Sequence, residues 1–244
     1  MAKIRADQLL VARGLVETRS KAQALILAGN VFSAERKIAK AGDQLAEDAP
    51  LEVRGKDHPW VSRGGIKLDH GLAHFAFDVT GLTALDVGSS TGGFTDVLLS
   101  RGAAKVFAVD VGTNQLAWKL RSDDRVIVHE QTNARTLTSE IITKAPQIVV
   151  CDASFIALHK VLDAAVDLAA PGAMLVALVK PQFEAGREEV GKGGVVRDPA
   201  VHERVCQEAA EWIASKGWSV LGIERSPITG PEGNVEFLLG ARKD

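Results

Sequence analysis

The sequence predicts an α/β protein in two parts, a small α+β unit followed by a larger one built on a mostly parallel, doubly wound sheet. Three observations lead there. Five short, nearly continuous apolar runs at 84–87, 106–109, 126–128, 148–151 and 174–179 are separated by segments long enough for crossover helices, the pattern of strands buried on both faces. The first forty residues carry their apolar side chains at helical spacing instead. Between the two regimes lies a polar stretch punctuated by Gly55, Pro59 and Gly64-Gly65. A chain of 244 residues accommodates both parts, and the division expected is 1–57 for the small unit, 58–65 for the connection and 66–244 for the large one.

Taken in order, the small unit opens with a helix. Asp7 stands in its first turn, Leu9 and Leu10 are its apolar face, and Gly14 ends it. Thr18 is placed to cap a second helix over 20–28, in which Ala22, Leu25 and Ile26 share a face and Gly29-Asn30 supply the stop. Val31, Phe32 and Ile38 are short strand material. The five apolar runs then build the sheet, and strand-like residues at 218–220 and 235–239 extend it as a terminal hairpin. Asp198-Pro199 reads as a helix N-cap followed by a first-turn proline, with Gly193-Gly194 before it as a candidate substrate loop. Trp60 is expected to help set the relative position of the two units.

Composition narrows the function. Nothing exceeds the apolar run at 172–179, too short to span a bilayer, and the first seven residues lack a signal-peptide core, so a cytoplasmic protein is expected. The two cysteines have no CxxC spacing and the six histidines show no shared metal spacing, so neither a disulfide framework nor a metal site is expected. Net charge is −2, but unevenly spread. Residues 1–40 hold eight basic side chains against three acidic ones, leaving 21 basic and 28 acidic in the remainder. A basic head on an acidic body suits contact with a polyanion.

The chemistry concentrates where strands end. Asp86-Val87-Gly88-Ser89-Ser90-Thr91-Gly92-Gly93-Phe94 follows the first large-unit strand, and glycines there let backbone N–H groups approach a ligand closely. The spacing is neither GxGxxG nor a P-loop. Asp110 ends the second strand, where a carboxylate can accept both hydroxyls of a ribose. A nucleoside-containing cofactor without the pyrophosphate fingerprint favours S-adenosylmethionine over NAD, with Asp86, Gly88, Ser90, Gly92, Gly93, Phe94, Asp110, Asn133 and Asp152 as binding candidates and Asn133 at the adenine edge. Asp152 and Lys180 end the fourth and fifth strands. Charged groups at the carboxyl edge of buried strands point to a reaction centre.

These strings resemble the FtsJ-type ribose 2′-O-methyltransferases, and the whole chain is similar to the TlyA family, whose members are called hemolysin A and ribosomal-RNA cytidine-2′-O-methyltransferase. The strings around Lys67, Lys180-Pro181-Gln182-Phe183-Glu184, Gly193 to Pro199 and Gly233 to Leu238 carry the likeness. Thr91 and Phe94 stand where the FtsJ type has Pro and Trp. The head is similar to an RNA-binding domain of ribosomal-protein type, with Ser33-Ala34-Glu35 where an Asn-Gly turn is common. The resemblance implies a Rossmann-like class I methyltransferase fold, a catalytic tetrad of Lys67, Asp152, Lys180 and Glu236, S-adenosylmethionine as cofactor, ribosomal RNA or a ribosomal subunit as partner, and Arg5, Arg19, Lys21 and Arg63 as RNA contacts. Lys180 is then the expected base or steer, since a second ammonium and partial burial disfavour its charged form. The rival readings are a membrane-acting hemolysin and a catalytically silent RNA-binding protein on the same fold.

Overall fold

The computed structural model describes residues 3–16, 18–53, 58–230 and 233–244. They fall into two compact units that divide between Pro59 and Trp60. The expected boundary at 57, with Gly55, Lys56 and Asp57, lies outside the described residues. Residues 60–65 are not a free connection. Val61 N–H donates to the Asp96 carboxylate at 2.8 Å, Trp60 and Val61 pack on the second unit's core, and Gly64-Gly65 open a helix.

In the first unit, α1 (Ala6–Ala12) and α2 (Arg19–Leu27) pack together, and the Thr18 hydroxyl accepts from Lys21 N–H at 3.2 Å as the expected cap. Strand β1 (Lys3–Arg5) pairs antiparallel with β4 (Gln44–Ala46), while β2 (Val31–Ser33) lies between β3 (Arg36–Lys37) and β5 (Glu52–Val53). Leu9, Leu10, Ala22, Ile26, Val31 and Ile38 form its core. The turn joining β2 to β3 puts Ala34 at φ 50°, a left-handed conformation that the common Asn-Gly would reach with less strain.

The second unit carries a seven-stranded sheet made of β6 (Thr83–Val87), β7 (Lys105–Val109), β8 (Val126–His129), β9 (Ile148–Cys151), β10 (Met174–Val179), β11 (Trp218–Arg225) and β12 (Phe237–Lys243), in the order β11-β12-β10-β9-β6-β7-β8. Strand β12 runs opposite to the other six and pairs antiparallel with both β10 and β11, giving the expected terminal hairpin. Side chains alternate between faces as strand geometry requires. Leu85, Val87, Phe107, Val109, Val149 and Leu175 pack under α5 (Leu158–Leu168) and α6 (Pro199–Ser215). Ala84, Val106, Ala108, Val150 and Val176 pack under α3 (Gly64–His74) and α4 (Gly93–Ser100). The sheet is doubly wound.

Two details differ from expectation. The segment from β8 to β9 holds only a single 3₁₀ turn, Ala134–Thr136, because its β-branched Thr and Ile residues are poor helix formers, although Ala134, Leu137 and Ile142 are buried in the core. Strand β12 begins at Phe237 rather than Val235. Just before it Asn234 is buried, its side chain accepting from Val196 N–H at 3.2 Å and donating to Gly194 O at 2.9 Å, which ties the Gly193-Gly194 loop in place.

Candidate active site

Parallel pairing of β7, β6, β9 and β10 brings their carboxyl ends to one edge of the sheet, the edge at which doubly wound domains bind ligands. Because β12 is antiparallel, its amino end joins them. Val179 pairs with Phe237, so Glu236 enters beside Lys180. Lys67 reaches the same point from the first half of α3.

The four groups form one ion network. Lys67 Nζ lies 2.6 Å from Glu236 Oε2 and 3.5 Å from Asp152 Oδ2, and Lys180 Nζ lies 2.6 Å from Asp152 Oδ1. Lys180 Nζ also donates to Asp152 O at 3.0 Å and to Ser154 Oγ at 2.9 Å. The two hydrogen bonds and the close carboxylate hold the Lys180 amine in place at the strand end. The close approaches at Asp152 Oδ1 and Glu236 Oε2 lie off the hydrogen-bond axis, so both oxygens keep accepting capacity. Lys67, Lys180 and Glu236 are buried, while the Asp152 side chain is 21% exposed and faces the cleft.

Two cavities meet at this network. One, of about 540 Å³, is lined by Lys67, Lys180, Glu236, Arg63, Gly93 and Phe94. The other, of about 520 Å³, is lined by Val87, Val109, Asp110, Asn133, Ala153 and Ile156. Gly88, Ser90, Asp152 and Ser154 belong to both. Each volume is within the range of small-molecule sites.

The glycine loop is built for close approach. Gly88 sits at φ 80°, and a Cβ there would lie 2.8 Å from Ala153 Cα. Asp110 fastens the loop. Its Oδ2 accepts from Ser90 N–H at 2.8 Å, with Ser90 itself left-handed at φ 47°, and its Oδ1 accepts from Gly112 N–H at 2.7 Å. Further lone pairs remain for a ligand's hydroxyls. Asn133 lines the same cavity while its Oδ1 accepts from Arg135 N–H at 3.1 Å, so it is at once a turn residue and a wall.

Two expected cofactor residues line neither cavity. Gly92, at φ 97°, faces Leu116 and Leu120, and its place is set by helix packing. Asp86 is fully buried, accepting from Thr95 Oγ1 at 2.7 Å, and burial away from water pushes its carboxyl up to about 7. Both cysteines are buried and pushed up to about 12, so their thiols are inert.

Of the charges expected to meet RNA, Arg63 is exposed at the rim of the tetrad cavity. Arg5 and Arg19 have a second task. Both bond the fully buried Asp7 carboxylate, at 3.0 and 2.9 Å, and with Gln23 at 2.9 Å they hold that carboxyl well below its usual range. Sequence reasoning missed Ser154 as a Lys180 partner and Phe155 as a site residue. Phe155 is 90% exposed, left-handed at φ 66°, and leans on Phe183 with ring centroids 5.1 Å apart, at the mouth of the second cavity. Neither has a periodic signal, since both lie in a loop.

Comparison with known proteins agrees with this geometry. A family model described as FtsJ-like methyltransferase matches residues 60–243. The chain is 47% identical over 241 residues to the Mycobacterium tuberculosis 16S/23S rRNA (cytidine-2′-O)-methyltransferase TlyA, covering 98% of this chain and 90% of that one. It is 39% identical over 236 residues to Hemolysin A of Brachyspira hyodysenteriae, covering 96% and 98%. A solved structure of a hemolysin-named protein from Streptococcus thermophilus superposes with a TM-score of 0.78 at 44% identity, covering all of this chain and 89% of that one.

Proposed function

The chain belongs to the FtsJ-like methyltransferase family, and we propose that it transfers a methyl group from S-adenosylmethionine to the 2′-hydroxyl of a cytidine ribose in ribosomal RNA. The observation that carries this reading is the junction of the two cavities at Asp152 and Ser154, one walled for a nucleoside and the other holding two lysines and two carboxylates.

The second cavity fits the cofactor by its chemistry. It offers apolar walls at Val87, Val109 and Ile156, a carboxylate at Asp110 for ribose hydroxyls, and the left-handed Gly88, at which a Cβ would collide with Ala153. When bound, S-adenosylmethionine supplies an electrophilic methyl on a sulfonium centre. The chain's own residues do the rest. Asp152 and Ser154 fix Lys180 Nζ at the junction, where it would orient the ribose hydroxyl and accept its proton as the methyl group is transferred to the oxygen. Glu236 and Lys67 balance the buried charge around that step. Phe155 is placed to stack on a base carried by the incoming strand, and the basic head supplies sequence-independent affinity for phosphate.

The name Hemolysin A belongs to a relative. Among the described residues no helix is long and apolar enough to cross a membrane. The test is mass-spectrometric mapping of 2′-O-methyl nucleotides in ribosomal RNA from cells with and without the chain. Loss of a methylated cytidine on deletion, restored by the purified protein with S-adenosylmethionine, supports the reading. An unchanged map contradicts it.

A further inference from the structure

Away from the cleft, α3 and β11 bring together three side chains of different chemistry. His70 and His74 stand four residues apart on α3 and so share a face. Glu224 meets them from β11. His70 Nε2 lies 3.2 Å from Glu224 Oε1, His74 Nδ1 lies 3.8 Å from Glu224 Oε2, and one donor atom from each residue falls within 4.8 Å of the others. We propose that His70, His74 and Glu224 form a binding site for a divalent transition-metal ion of the zinc class, with water completing the coordination.

The donor set selects the ion. Two imidazole nitrogens and one carboxylate suit zinc, whereas calcium and magnesium require a shell of oxygens. In a tetrahedral zinc site, neighbouring ligand atoms are about 3.3 Å apart. His70 and Glu224 already meet that spacing. The remaining gap closes by small rotations, for which there is room, since the three side chains are 37%, 43% and 33% exposed. The frame beneath them is fixed. Glu224 pairs with Leu238 across β11 and β12, α3 packs on the core that includes Leu238, and the His74 ring rests edge-on against Phe75 at 4.8 Å between centroids. Among the described residues, the only side chains ion-paired with Glu224 are these two histidines, so no lysine or arginine competes for its oxygens.

The site has a structural consequence. Lys67 lies one turn toward the amino end of α3 from His70, and Glu236 immediately precedes β12, the strand paired with β11. A metal ion here fastens that helix to that hairpin, two elements that carry the Lys67–Glu236 pair. It takes no part in the chemistry. The i, i+4 histidine pair is visible in sequence, but the site is not, because the third ligand comes from a distant strand.

The experiment uses the tag-free full chain, stripped by chelator and titrated with Zn²⁺ by calorimetry at about pH 7.5, where free imidazole is mostly neutral. One equivalent of Zn²⁺ is expected per chain, with a rise in melting temperature. His74→Ala and Glu224→Gln should each weaken binding by about 100-fold or more, as expected for loss of a ligand rather than of an outer-shell partner, while His159→Ala leaves it unchanged. Far-ultraviolet circular dichroism of each variant checks the fold, and Co²⁺ in place of Zn²⁺ should give the visible absorption of a nitrogen- and oxygen-ligated ion, lost in the same variants. Absence of saturable Zn²⁺ uptake, or uptake that survives both substitutions, overturns the proposal.

Discussion

Lys67 and Glu236, from the first helix of the large unit and the threshold of its last strand, meet at 2.6 Å in a site where both side chains are almost wholly removed from water. A buried ion pair of this kind is costly to break from one side, because the surviving charge is left without a partner. Glu236→Gln therefore leaves two ammonium groups facing Asp152 alone. The variant should lose roughly 3–5 kcal/mol of stability and most of its methyl transfer, checked by denaturant unfolding and by single-turnover assay. A variant as stable and active as the parent contradicts the assigned role.

Asp110 ties the glycine loop to the end of β7 through the Ser90 N–H, accepts from its near neighbour Gly112 N–H, and is the acceptor proposed for the cofactor's ribose. Asp110→Ala removes both functions. Loss of a hydrogen bond to a charged group is worth about 1.5–3 kcal/mol, so S-adenosylmethionine affinity measured by calorimetry should fall by at least about tenfold. Unchanged affinity would place the ribose elsewhere.

Asp86 gives a pH signature. Its ordinary value is 3.8 and in the fold burial raises it to about 7, so the native state favours the neutral acid. The unfolded chain gives up this proton first. The stability contributed is therefore fully present below about pH 4 and is lost as pH rises toward 7, by an amount on the order of 4 kcal/mol. Asp86→Asn keeps an acceptor for Thr95 and cannot ionise. Urea unfolding should show the variant gaining on the parent between about pH 4 and 7, while parallel stability curves would count against the raised value.

The head separates stability from affinity. Arg19 bonds the buried Asp7, whereas Lys21 is an exposed residue on the same helix. Lys21→Ala should lower the salt slope of RNA binding by about 0.7–0.9 with little change in melting temperature. Arg19→Ala should lower both. If the slope of Lys21→Ala equals that of the parent, the residue is not at the RNA surface.

Much of the architecture was legible. Strands buried on both faces announce themselves as apolar runs, and Thr18 and Asp198 mark their helices by side-chain chemistry alone. The three-residue strands around α1 and α2 gave no alternation to read. The link between β8 and β9 has Ala134, Leu137 and Ile142 at helical spacing and buries them without a helix, because the β-branched residues around them disfavour one. At the site, the positions of Gly88, Asp110, Asp152 and Lys180 followed from strand ends, but the arrival of Glu236 depends on an antiparallel register, and that of Lys67 on helix packing, which spacing does not encode. Gly92 and Asp86, expected contacts from the loop string, line neither cavity, Gly92 facing Leu116 and Leu120 and Asp86 bonding Thr95. The Asp7 clamp on Arg5 and Arg19 joins two helices, so its charges read in sequence as free.

The central claim is that Lys180, held by Asp152 and Ser154, handles the ribose proton. Its most direct test is the single-turnover rate of RNA methylation at saturating S-adenosylmethionine and RNA for the parent, Lys180→Ala and Lys180→Arg. The account predicts a fall of roughly 10²–10⁴-fold in Lys180→Ala, with cofactor and RNA binding nearly intact, and no rescue by Lys180→Arg, whose guanidinium does not give up a proton. Methylation by either variant at close to the parental rate would contradict it and move the proton-handling group elsewhere in the cleft.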